Sequence, residues 1–86
     1  MADDARIRAA ILEAVHARGA GKTICPSEVA RALADDWRPL MGEVRRVAEC
    51  LAAEGALVVM QKGRVVDVAQ ARGPVRLGVP RATDRP

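Results

Sequence analysis

The sequence has no tyrosine and no phenylalanine, and one tryptophan, Trp37, is its whole aromatic content. A core built on aromatic rings is excluded. What packs must be small and aliphatic, chiefly Ala, Val and Leu, so its parts have to interlock closely. Cysteine is also scarce: Cys25 and Cys50 stand alone, and His16 is the one histidine. No Cys-x-x-Cys pair occurs, and so sparse a set does not make a zinc site. No metal and no cofactor are expected. No run approaches the roughly twenty apolar residues of a membrane span, which argues against a membrane partner. Met1-Ala2-Asp3-Asp4 is acidic and lacks the apolar stretch of a secretion signal. A cytoplasmic location with both thiols reduced is the expectation.

What is present fits one domain. The chain has 86 residues, and half of them are hydrophobic, which is too apolar for a disordered segment. A chain this short buries only roughly two-thirds of its unfolded surface, so its stability is modest. The net charge is +3 and is unevenly placed. Residues 1–56 carry eight Lys+Arg against nine Asp+Glu, whereas residues 57–86 carry six against two. A basic C-terminal third favours anionic partners through counterion release. Its plain alternative is a solvated, arginine-rich tail.

Asp3 or Asp4 can cap a first helix running to about Arg18, with Ile7, Ile11, Ala14 and Val15 on one face. Gly19 follows as a left-handed cap, and Thr23-Ile24 reads as a very short strand. A second, short helix starts at Cys25-Pro26-Ser27-Glu28 and continues to Ala34, burying Val29, Ala30 and Leu33. Asp35 or Asp36 can cap a third helix opened by Trp37-Arg38-Pro39. Leu40, Val44, Val47 and Leu51 share one narrow arc of that helix, flanked by Trp37, Met41 and Ala48. The opposite arc holds Arg38, Gly42, Arg45 and Glu49, with Arg46 beside it. Gly55 ends the helix as a left-handed cap.

The period then changes. Leu57–Gln61 and Val65–Val68 are β-rich runs, and Lys62-Gly63-Arg64 between them gives a hairpin with a two- to four-residue loop. Gly73-Pro74-Val75-Arg76-Leu77 offers a further extended segment, against the hairpin or the first helix. Proline and charge from about Gly78 onward predict a frayed end. Three helices followed by a tight hairpin are the order of a winged helix-turn-helix, an α+β fold with a C-terminal β-hairpin wing. The expected division is a domain over 3–78 and a flexible tail over 79–86. A plain three-helix bundle leaves the valine-rich runs unexplained.

Several segments carry a resemblance. Ile24-Cys25-Pro26-Ser27-Glu28-Val29-Ala30-Arg31, Asp36-Trp37-Arg38, Met41, Val44-Arg45, Gln61-Lys62-Gly63 and Gly73-Pro74-Val75-Arg76-Leu77 resemble a small bacterial family of winged-helix architecture, catalogued as a domain of unknown function. The resemblance spans about residues 5 to 78. It implies the fold and brings no activity.

Function must therefore come from residues. In DNA-binding winged helices the third helix enters the major groove and the wing touches the neighbouring backbone. Arg38, Arg45 and Arg46 on the helix and Lys62 and Arg64 on the wing are the candidate contacts, with Arg76 as a sixth. Arginine can fork onto guanine or pair with phosphate. The leading expectation is a DNA-binding protein, such as a transcription regulator, acting on double-stranded DNA. The helix carries Glu43, Glu49 and Glu54 and no Asn, Gln, Ser or Thr, so backbone contacts should outweigh base reading. The alternative is a protein-interaction module, since fold does not fix function. A homodimer, with paired copies on paired half-sites, stays open. Arg38 has a second reading as a clamp to the second helix through Glu28. Arg76 has two: a basic strip with Arg64 and Arg72, or a pair with an acidic residue of the first helix. Cys25 at a helix start has one ingredient of a reactive thiol, but His16 is its sole candidate base. No enzyme activity is expected.

Overall fold

Asp3 opens the first helix with its own side chain. In the computed structural model, which describes residues 3–67 and 71–80, its carboxylate accepts from the Arg6 amide at 2.8 Å. That satisfies one of the four amides a helix start leaves without partners. Helix α1 then spans Asp4–Arg18 and buries Ile7, Ile11 and Val15. Gly19 closes it with φ 95° and ψ 171°, and its amide bonds the Val15 carbonyl at 3.1 Å. The positive φ is as expected, but the ψ is extended rather than left-handed helical. The chain therefore leaves directly toward strand β1, Thr23–Ile24.

Helix α2 spans Pro26–Leu33, one residue shorter than the sequence predicts, and ends on an extended Ala34. Val29 and Ala30 are buried, while Leu33 is only half-buried. The start of the third helix differs from expectation. Trp37-Arg38-Pro39 does not begin an α-helix; Arg38–Leu40 forms a 3₁₀ turn that feeds helix α3, Met41–Ala53. Neither Asp35 nor Asp36 caps it, since both turns open without a side-chain cap. The tighter turn lets Pro39 sit where no intrahelical amide is needed. At the far end the Ala56 amide bonds the Leu51 carbonyl at 2.9 Å and the Gly55 amide bonds Ala52 at 3.0 Å. With Gly55 at φ 79°, that is the glycine-terminated cap the sequence implies.

Strand β2, Val58–Gln61, turns through Lys62-Gly63 into β3, Arg64–Val65. The ladder continues one step further, with the Val66 amide on the Val59 carbonyl at 2.8 Å. Val68, expected in this strand, lies outside the described residues. Strand β4, Arg76–Gly78, is the extended segment expected against the hairpin, and it reaches further than that. It pairs antiparallel with both β1 and β2, in a four-stranded sheet of order β1-β4-β2-β3. Ile24, Leu77 and Val59 thereby form one cross-strand row, each no more than 1% exposed. Gly78 is buried within the sheet, where the sequence predicts fraying. Val79 still packs on the core, and residues 81–86 of the expected tail lie outside the described residues.

Three helices and an antiparallel sheet make an α+β, winged-helix-like fold with a single core between them. Ile7, Ile11 and Val15 of α1 meet Val44, Ala48 and Leu51 of α3, and Leu57, Val75 and the cross-strand row close the sheet side. Position 78 needs glycine for space. A Cβ there would sit 3.1 Å from the Lys22 carbonyl oxygen and 3.3 Å from the Thr23 methyl. Gly78→Ala is expected to force β1 away from β4 and to lower stability by about 1–3 kcal/mol, the usual range for overpacking. Urea unfolding would measure it, and an unchanged midpoint would contradict it.

Candidate nucleic-acid interface

The wing is the excursion that leaves the sheet at β2 and returns at β4. Its tip is a two-residue turn closed by the Gln61–Arg64 pair. Lys62 has φ 54° and Gly63 φ 79°. Positive φ at both central residues is what a type I′ turn demands, because its twist matches that of the flanking strands. Glycine enters this conformation freely. Lysine does not: the left-handed region strains a residue with a Cβ by roughly 1–2 kcal/mol. The fold thus holds a long cation at the extreme of the hairpin in a conformation better suited to Asn or Gly.

Two side chains fasten the returning limb. Gln61 donates through Nε2 to the Arg72 carbonyl at 2.5 Å and to the Pro74 carbonyl at 3.1 Å. Arg45 of α3 donates to the Gly73 carbonyl at 3.0 Å and to the Ala71 carbonyl at 3.5 Å. The wing is therefore indexed to the outer face of α3 by a guanidinium fork.

Of the six candidate residues, three are engaged within the molecule. Arg45 ties the wing and makes no ion pair with Glu49. Arg46 forks onto Asp4 of α1, at 2.6 and 3.1 Å. Arg76 donates to the Thr23 hydroxyl at 2.6 Å and the Thr23 carbonyl at 3.0 Å. It reaches neither the wing nor an acidic residue of α1; it locks β4 to β1. The other three present themselves outward. Lys62 and Arg64 are exposed, and neither side chain has a polar partner among the described residues. Arg38 is exposed and lies over the Trp37 ring, 4.7 Å from its centroid. It does not reach Glu28. Arg31 of α2, which sequence reasoning passed over, lies 4.5 Å from the same centroid. The signal for Arg31 was the spacing across the turn: two arginines flank Trp37, six residues before it and one after.

Glu28 serves the scaffold. One carboxylate oxygen accepts from the Cys25 amide at 2.8 Å and the other from Arg18 at 2.6 Å. The Cys25 amide, with Arg18 beside it, holds the Glu28 carboxyl below its ordinary range. Arg46 does the same for Asp4, and Arg8 for Glu54, to which it is forked at 2.6 and 2.7 Å. These carboxylates bind protons less readily folded than unfolded. Stability from them is fully present above the ordinary carboxylate range and is lost as pH falls through the depressed values. All three pairs are exposed, so each contributes little. Melting temperature is expected to decline between about pH 5 and pH 2, and Glu28→Gln should flatten that decline. An unchanged slope would rule Glu28 out of it.

Cys25 caps α2 half-buried, with the Ser27 hydroxyl donating to its sulfur at 3.1 Å. His16 is exposed in the last turn of α1. Among the described residues no cluster of His, Cys, Asp and Glu gathers to hold a metal, and no helix is long and apolar enough to cross a membrane. Both cysteines are free.

A family model described as protein of unknown function (DUF3253) matches residues 4–80. The chain belongs to that family. No curated protein matches it. The matched span of this DUF3253 domain covers every helix and strand named above, including β4. It also contains the wing and both arginines that flank Trp37.

Proposed function

We propose that this domain binds double-stranded DNA along its sugar-phosphate backbone, as a transcription regulator would, through the wing tip and the start of α3. The observation that carries the reading is Lys62. A lysine held at φ 54° at the tip of the hairpin, next to exposed Arg64, costs the fold energy and its side chain has no polar partner among the described residues. Phosphate is the ligand such a pair suits. Base reading is a minor part, because Arg45 is turned to the wing and Arg46 to Asp4, leaving the exposed face of α3 to Gly42, Glu49 and Cys50. Binding should therefore be strongly salt-dependent and weakly sequence-dependent. Titration onto mixed-sequence duplexes at several salt concentrations tests this. A linear fall of log K with log salt is expected, whereas no binding at low ionic strength would overturn the reading.

A protein-interaction module is the second reading. It is favoured by Val65, 48% exposed on β3 at the edge of the sheet, beside a wing that could add a strand from a partner. Recovery of a protein partner without DNA binding would support it.

A further inference from the structure

Five of the ten arginines among the described residues are engaged by carboxylates or carbonyls inside the domain, and Arg6, Arg64 and Arg72 are not. Arg8, Arg18 and Arg46 meet carboxylates, and Arg45 and Arg76 meet carbonyls. Arg31 and Arg38 differ. Both are exposed, both lie against the face of one indole, and neither has a carboxylate or carbonyl partner among the described residues. Asp35 and Asp36 lie in the same connection, yet neither pairs with them.

Two like charges on one ring repel each other. The ring compensates in part, since a guanidinium over an exposed indole gains about 0.5–1 kcal/mol. It also fixes both guanidinium planes, so less side-chain freedom is lost when a ligand arrives. The half-buried Trp37 adds an indole N–H that makes no hydrogen bond among the described residues. The cluster thus offers N–H donors from three side chains and no acceptor. Chemistry of that kind recognises an oxyanion. Its place in the fold selects which one. Arg31 is in the last turn of α2 and Arg38 opens the turn into α3, so the cluster bridges the two helices of the helix-turn-helix. In that motif the first of the pair crosses the DNA backbone and the start of the second faces the groove.

We infer that Arg31, Trp37 and Arg38 form a preassembled phosphodiester clamp that grips the DNA backbone at the α2–α3 turn, a second anchor apart from the wing. The inference rests on the DNA reading above. Its test uses the full chain and needs no added label on the protein, because Trp37 is the sole aromatic residue. A mixed-sequence duplex is titrated while Trp37 emission is followed, with anisotropy of a dye on the DNA as an independent measure of binding. Emission should change saturably, in step with the anisotropy. Arg31→Ala and Arg38→Ala should each lower the slope of log K against log salt by about 0.9, as one lost phosphate contact does. Arg31→Lys and Arg38→Lys, which keep the charge, should retain most of the slope. A wing variant lacking Lys62 and Arg64 should still show the emission change, at higher DNA concentration. Circular dichroism confirms that each variant is folded.

Wild-type slopes in both alanine variants would reduce the cluster to a cover for Trp37 and overturn the clamp, leaving DNA binding by the wing intact. Absence of binding by the unaltered chain would remove both.

Discussion

Leu77→Ala is expected to lower stability by about 2–5 kcal/mol, the range for a leucine removed from a close-packed core. Leu77 is 0% exposed and pairs on one side with Ile24 and on the other with Val59. Truncation opens a cavity at the centre of the row that joins β1 to β2. Stability for a domain of this kind is about 5–15 kcal/mol in total, and a small domain lies toward the lower end. Each kcal/mol lost moves the melting temperature by about 4–8 °C at this size. The variant should therefore melt about 8–40 °C lower, the product of those two ranges. Val79→Ala serves as the control, since Val79 packs on the same core but is half-buried. It should lose far less. Equal losses in the two would mean that β4 is not the centre of the sheet.

That central place was hard to see in the sequence, and the reason is physical. A helix reports itself through a repeat, and α1 and α3 present theirs over fifteen and thirteen residues. Their buried faces were legible, as was the hairpin, because Lys62-Gly63 between valine runs is a local turn signal. Strand β4 has three residues and follows Gly73-Pro74. Three residues carry too little alternation to name a partner, and the partners lie far off: Leu77 pairs with Ile24. Gly78 reads as a breaker in sequence because it has no side chain. In the sheet it is required for the same reason.

Arginine destinations were illegible on similar grounds. A helical wheel shows which way a residue leaves its own helix, and Arg45 and Arg46 do leave α3 away from the core, as Arg38 leaves the turn before it. It does not show what the guanidinium meets. Arg45 meets a carbonyl 28 positions on, Arg46 a carboxylate 42 positions back, and Arg76 a threonine 53 positions back. Six candidate cations therefore divide into three that organise the fold and three that face outward. The outward set, with Arg31 added, sits at the wing tip and at the α2–α3 turn rather than along the middle of α3.

Combining Lys62→Asn with Arg64→Ala separates what the wing does for DNA from what it does for the fold. Asn-Gly is the favoured pair for a type I′ turn, and Asn enters positive φ more easily than Lys. Relief at position 62 should raise stability by up to about 1 kcal/mol. Arg64 is exposed on a two-residue edge strand and makes no polar contact among the described residues, so Arg64→Ala should be within about 0.5 kcal/mol of neutral. The double variant is therefore expected to be at least as stable as the unaltered chain. Its DNA binding should move the other way. Two phosphate contacts are lost, so the slope of log K against log salt should fall by about 1.8. Affinity for every duplex sequence should drop alike, since backbone contacts carry no base preference. A protein that gains stability while losing salt-dependent affinity would show that the strain at Lys62 is retained for its ligand. A double variant that is less stable, with an unchanged salt slope, would make the lysine a structural part of the turn and move the DNA contact away from the wing.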